Sequence, residues 1–136
     1  MKYRFLEHTA DIKFQSFGET LEEAFENSAL AMFYVMVDIE KVKKNKKIKV
    51  ECFANNIEEL LIEWLNKLLA KANINEMVFS EFMVRIKNNK LEGQAFGEKL
   101  DIKKHNPKIE VKAATYSELF VKKEKDKFIC QVVLDV

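Results

Sequence analysis

The sequence predicts an α+β domain in which a layered sheet carries two amphipathic helices. Three features point there. Short runs alternate apolar and polar residues, two longer segments repeat their apolar residues at helical spacing, and the helices fall on few of the connections. The elements run ββαβαββββ along the chain. A chain of 136 residues has the length of one domain, 1–136, built around one core.

Residues 3–7 and 12–17 read as two short strands, the second with Ile12, Phe14 and Ser16 on one side and Lys13 and Gln15 on the other. The polar stretch Glu7-His8-Thr9-Ala10-Asp11 separates them. After Gly18, Thr20 and Glu23 have the spacing of a capping box, and Leu21, Ala24, Phe25, Ser28, Met32 and Val35 continue as a helix to about Val37. The cationic connector 41–47 leads to a strand in which Ile48, Val50 and Cys52 alternate. Asn56 and Glu59 open a second helix, whose apolar face holds Ile57, Leu60, Leu61, Trp64, Leu65 and Leu68. Both helices read as one-sided. Residues 78–86 and 91–96 form a hairpin across 87–90, because the asparagines there tolerate positive φ. Residues 109–121 read as a further strand, 122–127 as a charged turn and 128–136 as the last strand.

Composition excludes several classes of function. Of the residues, 48% are hydrophobic, so the chain has enough apolar surface to offset its entropy and is not disordered. A net charge of +1 gives no overall field toward nucleic acid or an anionic membrane, so any RNA contact is local, weak or made through a partner. Three glycines and one proline leave no glycine-rich phosphate loop. Cys52 and Cys130 stand apart in apolar runs and read as reduced core residues of a cytoplasmic protein. No apolar leader or membrane-spanning stretch is visible.

Few residues could carry chemistry. Asp135 interrupts the otherwise mostly apolar row Ile129, Gln131, Val133 and is followed by the α-carboxylate of Val136. Asp11 ends the first polar turn. Each alone is most simply a strand end reaching water; together they would make the oxygen-rich cluster that a hard divalent cation takes. Lys112 reads as an edge or solvent lysine, His8 and His105 as solvated or turn histidines, and 41–47 as a solvated loop. Tyr3, Phe5, Phe14 and Phe17 read as core, since a stacking platform for single-stranded RNA needs basic residues interleaved on the same exposed face.

Several segments together resemble one family. Glu7-His8-Thr9-Ala10-Asp11-Ile12, 21–29 in the first helix, 60–66 in the second, 78–82, Val111-Lys112-Ala113-Ala114-Thr115-Tyr116 and the terminal Leu134-Asp135-Val136 are similar to the archeases, in the same order over essentially the whole chain. Lys13 stands where a glycine is common and Ser117 where a histidine is common. The resemblance implies a non-enzymatic partner of a tRNA-splicing RNA ligase. Such a protein speeds guanylylation of the ligase's histidine and supports repeated joining of 2′,3′-cyclic phosphate or 3′-phosphate ends to 5′-hydroxyl ends. It also implies a divalent metal, calcium, held by Asp11, Asp135 and the terminal carboxylate of Val136, with Lys112 as a further functional position. Two other classes stand beside it. One is a metal-dependent phosphohydrolase, for which the sequence offers no evident general base. The other is a small RNA-binding or chaperone-like module using the 41–47 lysines.

Overall fold

The chain opens with β1 (Tyr3–Leu6) and β2 (Ile12–Gly18), in a computed structural model that describes every residue from Met1 to Val136. Helix α1 (Leu21–Met36), a 3-10 turn (Ile39–Lys41), β3 (Lys46–Phe53) and α2 (Ile57–Asn75) follow. Then come the hairpin β4 (Met77–Lys87) and β5 (Lys90–Lys99), a single-turn helix α3 (Ile102–His105), β6 (Ala113–Glu124) and β7 (Lys127–Asp135). The helix starts follow their caps. Thr20 Oγ1 accepts from the Glu23 amide at 3.0 Å, and Asn56 Oδ1 from the Glu59 amide at 2.8 Å. The Glu23 carboxylate reaches back one residue further than an ordinary capping box, to the Glu19 amide at 2.9 Å.

The strands form two antiparallel sheets, ordered β1-β2-β7-β6 and β3-β5-β4. The two helices lie between them: α1 packs on β2 and β7 of the first sheet and β4 of the second, and α2 on β6 and on all three strands of the second. The layered α+β class holds, with its sheet in two parts. The helices are consequently not one-sided. α1 buries Ala24, Phe25, Ser28, Ala29, Met32 and Phe33, and α2 buries residues from Leu60 to Ala72 on more than one stripe. Trp64 marks the centre. Its Nε1 donates to the Phe25 carbonyl at 3.1 Å, tying the helices together. Its ring lies so close to β5 that a Cβ on Gly93 would stand 2.5 Å from it.

The 87–90 turn is as expected, with Asn88 at φ 51° and Asn89 at φ 60°. Residues 109–112 are not strand. The amides of Lys108 and Ile109 instead bond the Met36 and Val35 carbonyls at 2.9 and 3.2 Å, closing the end of α1. The charged turn shrinks to Lys125-Asp126, because β6 and β7 pair as far as Glu124 and Lys127. β6 loses register with β7 between Thr115 and Phe120, where Glu118 adopts φ 51°.

Candidate functional site

The antiparallel register decides where the chain's two ends meet. Ile12 pairs with Leu134, so Asp11 and Asp135 are the next residues outward on neighbouring strands. Ala113 pairs with Asp135 on the other side of β7, and the Lys112 amide donates to the Asp135 carbonyl at 2.8 Å. Asp11, Asp135, Val136 and Lys112 therefore share one end of the first sheet. Asp11 and Val136 are half-buried, and Asp135 and Lys112 exposed. Lys112 lies one residue before β6 rather than within it. Its main chain engages Asp135, while its ammonium forms no ion pair with either aspartate. No group of three or more His, Cys, Asp or Glu side chains stands close enough to hold a metal ion.

Beside this end lies a polar cluster on the sheet face turned away from the helices. Alternation places Lys13 and Asp135 on that face, since Phe14 and Leu134 point into the core. The bulge in β6 brings Glu118 over it. One carboxylate oxygen receives Lys13 Nζ and the other meets His8 Nε2, each at 3.0 Å, and Gln131 Nε2 donates to the Glu118 carbonyl at 2.8 Å. The lysine first, and then the histidine, hold the Glu118 carboxyl below the usual carboxylate range. His8 is thus tied to the sheet rather than freely solvated, and its Nδ1 is buried without a partner. Glu118 escapes sequence reading, because nothing in the run 109–121 marks the break in register.

His105 departs further from its expected solvated place. It is fully buried, accepts the Asp101 amide at Nδ1 (2.9 Å), and lies 2.8 Å from Glu98 Oε2 through Nε2. The amide fixes Nδ1 as the acceptor, so Nε2 carries the hydrogen and donates to Glu98. Both cysteines are free and buried, and loss of solvation pushes the thiols up to about 11 for Cys52 and about 12 for Cys130. No helix is long and apolar enough to cross a membrane.

Two antiparallel sheets with a pair of helices between them define a small α+β protein, in which Asp11 and Asp135 lie at the same end of neighbouring strands. The model of the archease protein family (MTH1598/TM1083) matches residues 3–136, and the chain belongs to the archease family. It is 42% identical over 140 residues to the protein archease of Methanosarcina barkeri, covering 99% of this chain and 96% of that one. It is 44% identical over 135 residues to that of Pyrococcus furiosus, covering 96% and 95%. The solution structure of Methanobacterium thermoautotrophicum protein 1598 superposes with a TM-score of 0.87 at 36% identity, covering 98% of each chain. The crystal structure of an archease from Thermotoga maritima, described as a possible chaperone, shares the fold with a TM-score of 0.65 at 19% identity, covering 96% of this chain and 94% of that one.

Proposed function

We propose that this chain is a cytoplasmic, non-catalytic activator of a tRNA-splicing RNA ligase. In this reading it promotes guanylylation of the ligase and repeated joining of 2′,3′-cyclic phosphate or 3′-phosphate RNA ends to 5′-hydroxyl ends. One observation carries it. The family-like segments 7–12 and 134–136, far apart in sequence, lead into and close two neighbouring strands and meet at the same end of the first sheet.

Asp11 and Asp135, with the terminal carboxylate of Val136, would form an all-oxygen donor set, which suits a hard cation such as Ca²⁺. With no third side-chain carboxylate in reach, the set fits an ion that keeps much of its water, presented at an open surface rather than enclosed. When bound, such an ion supplies charge neutralisation for a triphosphate during transfer to the ligase's histidine. The chain's own part is positional. β2 and β7 would hold the two aspartates, the Lys112 amide holds the Asp135 main chain, and Lys112, exposed at the same sheet end and without an ion pair, would supply a cation to an anionic group.

The test is ligation of cyclic-phosphate RNA by limiting ligase. Many products per ligase are expected only when this protein is present. Asp11→Ala and Asp135→Ala, with unchanged circular dichroism, are each expected to lower the stimulation by about tenfold or more. Full stimulation by both variants overturns the reading.

A further inference from the structure

The helices cover only the inner face of the second sheet. On its outer face, one end lies under the 3-10 turn and α3, where Val78 packs against Val42 and Glu98 meets Lys104 and His105. The remainder is open. Its register sets four cross-strand rows: Phe53-Lys90-Lys87, Glu51-Glu92-Arg85, Lys49-Gln94-Met83 and Lys47-Phe96-Glu81. Phe53 is 66% exposed and Met83 54%, so large apolar groups are displayed to water among charges without a covering element.

The geometry points to a binding platform for single-stranded RNA on this face. Recognition of single strands needs π-faces for bases and cations for the backbone on one surface, and this face has both. Phe53 and Phe96 stand on adjacent strands three rows apart, about 20 Å at the repeat of a β-strand, so an extended strand of several nucleotides spans them. Five cations (Lys47, Lys49, Arg85, Lys87 and Lys90) face three carboxylates there. Two of those carboxylates are already engaged: Glu81 by Lys44 at 3.4 Å and Glu92 by Lys90 at 3.7 Å. Lys47, Lys49, Arg85 and Lys87 form no ion pair. Lys90 already lies 5.3 Å from the Phe53 ring centre, the approach that a cation makes to an aromatic face. The lysine-rich connector ahead of β3 runs into the same end as Lys47 and extends the positive rim. The chain's net charge of +1 hides this local excess.

The experiment is fluorescence anisotropy of a labelled twelve-nucleotide uridine RNA, with a hairpin duplex of equal length for comparison, using the full chain. The wild-type protein is expected to bind the single strand more tightly than the duplex, and more weakly as salt rises. Phe53→Ala, at an exposed site, is expected to weaken binding by about tenfold or more. The double variant Lys49→Glu, Arg85→Glu is expected to weaken it and flatten its salt dependence. Asp11→Ala is expected to leave it unchanged, which separates this surface from the strand-end aspartates and the ligase reading. Absence of single-strand binding at low salt, equal affinity for the duplex, or unaltered binding by both face variants overturns the proposal. Loss of ligase stimulation in Phe53→Ala without any RNA binding makes the face a protein-docking surface, and also overturns it.

Discussion

One oxygen of Glu98 gathers three donors: Lys104 Nζ at 2.7 Å, His105 Nε2 at 2.8 Å and the Lys43 amide at 2.9 Å. Lys104 above all, then the Lys43 amide and His105, lower the carboxyl from 4.5 to about 2. A carboxylate held lower in the folded than in the unfolded chain adds stability above its unfolded value and loses it as the folded value is approached. Thermal melts are therefore expected to show wild-type stability falling between about pH 4.5 and about pH 2, with a shallower acid limb in Glu98→Gln. Superimposable limbs would show that the three bonds do not favour the charged form. The thiols give a second expectation at this scale: a thiol reagent at neutral pH labels neither Cys52 nor Cys130 until the chain is unfolded. Rapid labelling of native protein contradicts the buried placement. Asp135 was legible in sequence as an acid breaking an apolar row, and the cysteines as core. His105 and Glu118 were not, because their partners come from other segments and no local pattern announces a buried imidazole or a displaced strand residue.

Elements whose ends are set by local chemistry follow the sequence most closely. Thr20 and Asn56 cap their helices and the Asn88-Asn89 turn takes positive φ, since each depends on residues within a few positions. Asn56→Ala leaves the Glu59 amide without its acceptor and is expected to cost about 1 kcal/mol in urea unfolding, with an unchanged slope. No change in midpoint would mean that water replaces the cap without loss. Boundaries fail where an element's amides are claimed from afar. The start of β6 is displaced to Ala113 because Lys108 and Ile109 are spent on α1, a contact that strand alternation in 109–121 cannot reveal.

At the scale of the whole molecule, periodicity identified strands and helices but not their division into two sheets. That division depends on which strands pair, and β7 inserts between β2 and β6 on information spread across the chain. The candidate site shares this limit: strand patterning and the family-like segments marked the aspartates, and only the register placed them on neighbouring strands. The centre of the sandwich is tight. Gly93→Ala forces a methyl against Trp64 and is expected to destabilise the fold by about 1–3 kcal/mol, read from the denaturant midpoint. A neutral result would mean that the indole moves aside freely.

The pairing of β2 with β7 also has a temporal side. Gln15 and Gln131, bonded at 2.9 Å across those strands, lie 116 positions apart. A ribosome therefore releases the first hairpin long before it makes the strand that shields the open side of β2, and a nascent chain must keep that edge from foreign partners meanwhile. Distant closures of this kind slow folding, so maturation of the first sheet waits on the arrival of residues 127–135.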